Sequence, residues 1–104
     1  MTITVGTAPE VGTSVRLYIS TVDPGGNPSD ADTLEILVKD PAGETTTYVY
    51  GASPEEIVHP SEGQYYLDVE ATAKHEWFFR GEAEGLGWLD VEEGSFVVRT
   101  SQVI

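Results

Sequence analysis

Side chains that resemble calcium ligands occur close together in one glycine- and proline-rich stretch. They are Asp23, Asn27, Asp30 and Asp32. Calcium loops place such oxygens at alternate positions of a single tight turn and add a late glutamate. Here the spacings are four, three and two residues, and Pro24 and Pro28 stiffen the chain between them. Residues 40–43 repeat the Asp-Pro-x-Gly pattern of residues 23–26, so we interpret these acids as turn residues bonded to their own backbone. We expect no metal and no cofactor.

Carboxylates and histidines elsewhere in the chain do not form a recognisable catalytic pattern. The candidates are Asp68 with Glu70, Glu55 with Glu56, Glu92 with Glu93, and the histidines His59 and His75. Glycosidases hold two carboxyl groups about 5–9 Å apart across a sugar, and nothing here places a pair around a cleft. The sequence also lacks a nucleophile elbow, a phosphate-binding loop and a dinucleotide fingerprint. We therefore predict that the protein is not an enzyme.

An apolar trio in the polar segment "RGEAEGLGWLDVEEGSF" is a candidate contact site. Leu86, Trp88 and Leu89 fall in a predicted loop over residues 85–90. Such a trio can cover one end of a core as a small satellite cluster. Alternatively it is exposed and anchors a partner, because tryptophan is enriched at interface hot spots. A carbohydrate-binding module would also display Trp88, with Tyr48, Tyr50 or Tyr66 beside it.

The N-terminal sequence "MTITV" alternates Ile3 and Val5 with threonine and is followed by a glycine- and proline-containing hinge. A short arm of this kind can add to the sheet edge of a neighbouring protein. Our hypothesis is that partner contacts are made by Leu86, Trp88, Leu89, Ile3 and Val5.

The elements that must position these residues are β-strands. Apolar and polar residues alternate, and turn signals recur every eight to twelve residues, which is typical of an antiparallel sandwich or barrel. We predict an all-β, immunoglobulin-like antiparallel sandwich of about seven strands, with Trp77 as the central core ring. The predicted strands are 11–22, 33–39, 45–50, 56–59, 64–71, 76–82 and 95–100, with an additional short strand at 2–5. In this interpretation, residues 1–10 form an N-terminal arm, residues 11–100 the sandwich and residues 101–104 a tail.

The composition limits the classes of partner. The chain has 104 residues, eighteen acids against five lysines and arginines, a net charge of −13 and no cysteine. Nucleic acids and anionic membranes are bound by clustered cations, so neither is an expected partner. Without cysteine there are no disulfides and no thiolate metal sites. The start of the chain does not resemble a signal peptide.

Five motifs follow one another between Thr21 and Arg99: "DPGGNP", "VKDPAGETTTYVY", "GQYYLDV", "EWFFR" and "EEGSFVVR". In order and spacing they resemble a family of small immunoglobulin-like proteins encoded by tailed bacteriophages, especially those of actinobacteria. The resemblance implies a non-enzymatic virion protein, made in the host cytoplasm and located at the head–tail junction, on the capsid or on the tail. Its implied partners are other phage structural proteins and copies of itself. The chain departs from the family pattern at Gly81, where a second tryptophan is common, and in the loop that carries Trp88.

Overall fold

A computed structural model describes residues 1–6, 11–52 and 55–99. These residues form eight β-strands and no helix, so none of the described segments is a helix long and apolar enough to cross a membrane. The strands are β1 (Thr2–Val5), β2 (Ser14–Ser20), β3 (Thr33–Lys39), β4 (Thr45–Val49), β5 (Ile57–Ser61), β6 (Gln64–Glu70), β7 (His75–Gly85) and β8 (Trp88–Val98).

Two antiparallel sheets of four strands form a sandwich. The first sheet has the order β1-β2-β6-β5, and the second has the order β4-β3-β7-β8. Each sheet is built from hairpins of consecutive strands, and the chain crosses to the other sheet after β2, β4 and β6, as in the immunoglobulin topology. The predicted fold class is confirmed, with eight strands where about seven were expected.

The largest difference from the predicted strands lies in the hairpin of β7 and β8. We expected a strand that ends at residue 82 and another that starts at residue 95, but the two strands run to Gly85 and from Trp88. Pairing is continuous from His75–Val98 to Gly85–Trp88, and the turn is Leu86–Gly87. The segment is rich in glycine, alanine and glutamate, which have low strand propensity, so pairing with β3 and β7 overrides the local preference.

The core consists of the inward-facing residues of both sheets. Those that are most completely enclosed are aliphatic: Leu17, Ile19, Leu34, Ile36, Ile57 and Leu67. Trp77 is buried, as predicted, and stacks on Phe96 with ring centroids 5.9 Å apart. Its indole N–H donates to the carbonyl oxygen of Ala73 at 3.0 Å, so it belongs to the end of the core where β7 begins. The centre of the core is therefore aliphatic rather than aromatic.

The N-terminal segment is part of the sandwich and not an arm outside it. Thr2–Val5 pairs with β2 from Thr2–Ser20 to Val5–Leu17. Ile3 and Val5 are half-buried and pack against the core. A Cβ atom added at Gly81 would lie 2.6 Å from Cδ1 of Ile3, so the missing side chain of Gly81 makes room for β1. Ile3 and Val5 thus contribute to their own core, and contact of their half-exposed side chains with a partner stays a prediction.

Some predictions fall on residues outside the described ranges. These are residues 7–10 of the predicted N-terminal arm, the end of the last predicted strand at Thr100 and the tail at residues 101–104.

Candidate docking site

The acidic stretch near residue 23 is a turn, and the prediction from the Asp-Pro-x-Gly pattern is confirmed. Oδ1 of Asp23 accepts the N–H groups of Gly25 and Asn27 at 2.9 and 3.0 Å. The second copy of the pattern folds in the same way, since Oδ1 of Asp40 accepts the N–H of Glu44 at 2.9 Å. The glycine at the fourth position of each pattern has a positive φ. Among the described residues, no three acidic, histidine or cysteine side chains are grouped as a metal site.

Asp30 does not share the turn-forming role of Asp23, and no pattern in the sequence indicates this. Its Oδ1 accepts the N–H of Gly63 at 2.8 Å and lies 2.9 Å from Nε2 of His59. The Gly63 N–H, followed by His59, holds the pKa of Asp30 below its ordinary value. The His59 ring stacks on Tyr65 at 4.3 Å, and its Nδ1 lies 3.3 Å from the Tyr50 hydroxyl. This cluster ties the β5–β6 turn to the loop before β3, so we interpret it as a structural clasp.

The predicted apolar trio divides into two parts. Leu86 and Leu89 are 93% and 72% exposed. Trp88 is half-buried and packs against the core, and its ring occupies the space beside Gly85 where a Cβ would lie. Both interpretations of the trio therefore apply, each to different residues: Trp88 is satellite core, whereas Leu86 and Leu89 are free to contact a partner.

Leu89 belongs to a larger apolar surface that the sequence did not reveal. We call it the second-sheet face: the outward side chains of β4, β3, β7 and β8, which lie in rows fixed by the strand register. Its exposed apolar members are Val49, Phe78, Leu89, Val91 and Val97, and Leu37 is half-buried among them. Shallow grooves run between Leu37, Phe78 and Arg80 and between Val49 and Leu89. An exposed apolar patch of this kind is typical of an interaction surface.

Carboxylates interrupt the apolar side chains of the second-sheet face. Arg80 is held by its neighbours: its Nε donates to Glu82 at 3.1 Å and its Nη1 donates to Glu93. Glu35 lies directly across from Glu82 in the same row, so two like charges face each other. Neither Glu35 nor Glu84 forms an ion pair with any cation in the described part of the chain. The end of the face near the β7–β8 turn is therefore apolar and negatively charged.

The outer face of the first sheet is arranged differently. Arg16 donates from Nε and Nη2 to the two carboxylate oxygens of Asp68, at 2.8 and 3.0 Å. Its guanidinium carbon lies 4.0 Å from the centroid of the Tyr66 ring. Tyr18 lies across from Tyr66 and is exposed. We call this surface the first-sheet face.

The rings that we expected in a carbohydrate site do not come together. Tyr48, Tyr50 and Trp88 are half-buried and pack against the core. Tyr66 lies on the other sheet, beneath Arg16. The exposed aromatic side chain of the first-sheet face is Tyr18, which the sequence analysis did not single out.

Comparisons with known proteins identify the fold but not a family. No protein-family model matches the sequence. No curated protein matches it. Among solved structures, the chain is similar to part of the chitinase ChiW from Paenibacillus sp. str. FPU-7, a multi-modular enzyme expressed on the bacterial cell surface. The alignment has a TM-score of 0.65 and 15% identity, and covers 91% of this chain but 8% of the chitinase. At that identity the likeness concerns the β-sandwich alone.

Proposed function

We propose that the chain is a non-enzymatic docking module of a tailed-phage virion. It sits at the head–tail junction, on the capsid or on the tail, in repeated copies held to other virion proteins by the second-sheet face and the turn at Leu86. The virion assignment comes from the order of the five sequence motifs. The docking role depends on one observation, which is that apolar side chains of β4, β7 and β8 are exposed in register on a single sheet face.

The physical reason is the free energy of covering this surface. Removing apolar area from water stabilises a complex by about 25 cal/mol per Å². The entropy that the partners lose on association must be subtracted from this gain. Phe78 and Leu89 lie at different positions along the face, so a flat partner covers both at once. Docking at repeated copies requires only such a surface and no reactive side chain.

The test compares two aromatic residues of equal exposure on opposite faces. Phe78 is 49% exposed on the second-sheet face and Tyr18 is 48% exposed on the first-sheet face. Particles are assembled from the encoding genome with Phe78→Asp or with Tyr18→Asp, and the copies of the chain per particle are counted by quantitative mass spectrometry. We expect Phe78→Asp to reduce incorporation about tenfold or more, as for the loss of a hot-spot residue.

Tyr18→Asp should leave the copy number close to that of the unmodified chain. Equal incorporation of both variants, or the absence of the chain from purified particles, would contradict the proposal. Trp88→Asp is a poor probe of docking, because Trp88 packs over Gly85 and its replacement disturbs the fold.

The second candidate function is a carbohydrate-binding module on the virion surface. It is favoured by exposed Tyr18 beside the planar Arg16–Asp68 pair, since sugars stack on rings and bond to planar polar groups. A glycan array that includes chitin oligosaccharides tests it, with Tyr18→Ala as the control variant. If no glycan is retained, this candidate is removed and the docking proposal is unaffected.

A further inference from the structure

The edge strands of the two sheets differ in the features that prevent a further strand from pairing with them. β1 and β8 lie side by side, one outward N–H group on each is bound by a carboxylate, and β8 carries the charged residues Asp90, Glu92 and Glu93. The N–H of Ile3 donates to Oε2 of Glu92 at 3.2 Å, and the N–H of Val91 donates to Oδ1 of Asp90 at 2.9 Å. β5 contains Pro60, which has no N–H, and its register with β6 shifts after Val58. Charges, prolines and bulges are the usual devices that keep a sheet edge from pairing with another chain.

β4 is the edge strand of the described structure that has none of these devices. Its sequence, Thr-Thr-Thr-Tyr-Val, contains no charge and no proline, and all five residues stay in register with β3. Threonine, tyrosine and valine favour extended backbone. Of the five side chains, only that of Tyr48 is half-buried; the others are exposed. The strand therefore pairs with β3 along its whole length, and its other edge pairs with no strand in the part of the chain that the structure describes.

One backbone hydrogen bond shows which backbone groups of β4 face its unpaired edge. The N–H of Tyr50 donates to the carbonyl oxygen of Leu34 on β3 at 2.9 Å. Backbone N–H and C=O groups alternate in direction along a strand. Those of Tyr48 and Thr46 therefore also point toward β3, whereas those of Thr45, Thr47 and Val49 point toward the unpaired edge of β4. The Val49 carbonyl accepts the N–H of Ala52 at 3.2 Å. Thr45 and Thr47 thus present donors and acceptors that no described residue satisfies.

We infer that β4 receives an extended segment of a partner protein, which adds to the second sheet as a fifth strand beside residues 45–49. The inference rests on the proposed function and specifies how the docking module holds its partner. Main-chain hydrogen bonds supply affinity in this mode, and side chains on the sheet face supply specificity. The added strand continues the second-sheet face, so its outward side chains lie next to Thr47 and Val49.

Charge complementarity indicates what kind of segment fits. Glu44 precedes the strand, Glu55 and Glu56 follow it, and Glu35 lies across from Val49 on β3. Burial and the Glu56 carboxylate raise the pKa of Tyr48 on β4. The cation next to the strand is Lys39, across from Thr45. With a net charge of −13, a second copy of the chain would be repelled, so the segment is an uncharged strand with lysine or arginine at its ends.

The test uses the full chain and three synthetic peptides. The probe is Lys-Lys-Thr-Val-Thr-Val-Thr-Lys-Lys; one control replaces every lysine with glutamate, and the other keeps the lysines but replaces the centre with alternating proline and glycine. Binding is followed by amide chemical shifts. We expect the probe to shift Thr45, Thr47 and Val49 and to bind at least tenfold more tightly than either control. Shifts centred on another strand, or equal binding of the proline-glycine peptide, would overturn the inference.

Substitutions at Thr47 give the matched protein variants. Thr47→Pro removes an outward N–H and leaves the bonds to β3 in place, because proline is tolerated where the N–H faces solvent. Thr47→Val keeps that N–H. The proline variant should bind the probe peptide at least tenfold more weakly than the unmodified chain, and the valine variant should bind it with unchanged affinity. Equal affinities would overturn the inference; if the proline variant does not fold, the two control peptides decide.

Two further outcomes distinguish failure of this inference from failure of the proposed docking function. If particles take up Thr47→Pro normally but reject Phe78→Asp, the face docks without the edge, and the inference fails while the proposed function stands. If the chain self-associates in sedimentation without peptide and Thr47→Pro abolishes this, the occupant is a second copy and not a basic partner, which also overturns it.

Discussion

The outer faces of the two sheets are built on the same alternation of side chains but are completed in different ways. On the first-sheet face, Arg16 is bound to both oxygens of Asp68 and lies over Tyr66. Beside them, Oγ of Ser20 donates to Oε1 of Gln64 at 3.2 Å. These polar groups find their partners within the same sheet.

The second-sheet face leaves more surface without partners. Phe78, Val91 and Leu89 are exposed, and Glu35 lies across from Glu82 but forms no ion pair within the described residues, because Arg80 is held by Glu82 and Glu93. The whole chain is strongly acidic, so net charge does not distinguish the two faces. What distinguishes them is the amount of exposed apolar surface: Val49, Phe78, Leu89, Val91 and Val97 on the second-sheet face, against Tyr18 and Val58 on the first-sheet face. A docking surface is recognised by such a concentration of exposed apolar side chains.

The largest expected effect on stability comes from overpacking the core beneath the second-sheet face, where Phe79 lies against Gly94. A Cβ added at Gly94 would lie 2.4 Å from Cζ of Phe79 and 2.9 Å from its Cε1. Phe79 is buried and stacks with Phe96, so its ring cannot simply move aside. We expect Gly94→Val to lower the free energy of unfolding by about 1–3 kcal/mol, as for overpacked cores. Urea denaturation measures this.

Ser95→Thr is the control for that substitution. Ser95 is the next residue on β8, and its side chain points to solvent, where it donates to Glu76. Threonine keeps the hydroxyl and adds one methyl group outside the core. A loss of stability equal to that of Gly94→Val would mean that the Phe79 contact is not the cause.

Charge reversal should have opposite signs on the two faces. Glu35→Lys replaces the repulsion across from Glu82 by attraction, and opposite-charge cross-strand pairs contribute roughly 0.2–1 kcal/mol. Asp68→Lys does the reverse, because it places a cation beside Arg16. Urea denaturation at low ionic strength should show Glu35→Lys as stabilising and Asp68→Lys as destabilising. Both differences should shrink in high salt. The same sign for both variants would contradict the comparison.

The smallest effect concerns the titration of Asp68. The hydrogen bonds from Arg16 hold the pKa of Asp68 below its ordinary value. A depressed pKa in the folded state contributes stability above the unfolded value of about 3.9, and this contribution is lost as pH falls through the folded pKa. We expect Arg16→Gln to raise the pKa of Asp68 and to weaken the loss of stability below about pH 4.

Carboxyl chemical shifts measured against pH follow that titration directly. Asp30 serves as the internal control, because its pKa is lowered by Gly63 and His59 and not by Arg16. If Asp68 titrates at the same pH in the variant, the ion pair of the first-sheet face is not what perturbs it.

The sequence predicted those features that depend on neighbours along the chain. The Asp-Pro-x-Gly turns were predicted because each is closed by hydrogen bonds within five residues. β3 was placed at its observed bounds because apolar and polar residues alternate between two turns. Burial of Trp77 followed from the same alternation.

The candidate site was predicted only in part. Leu86 and Leu89 were chosen and are exposed, but Trp88 packs over Gly85, and Ile3 and Val5 pack into the core. Trp88 faces inward over Gly85, its partner across the β7–β8 turn, whereas Ile3 and Val5 face inward because of β2 and Gly81, which are distant in sequence. The exposure of Phe78 was not anticipated as part of a surface, since its neighbours come from β3 and β8. The His59 clasp was missed for the same reason: Asp30 is 29 residues away.

The sequence by itself determined the two-layer β fold, the turns and the excess of negative charge, because periodicity, turn chemistry and composition are local properties. Only the tertiary structure decided which apolar residues are left outside, which carboxylates lack a cation and which sheet edge is open. Those properties depend on strand register and on contacts between distant residues, and neither is written in the order of neighbouring side chains.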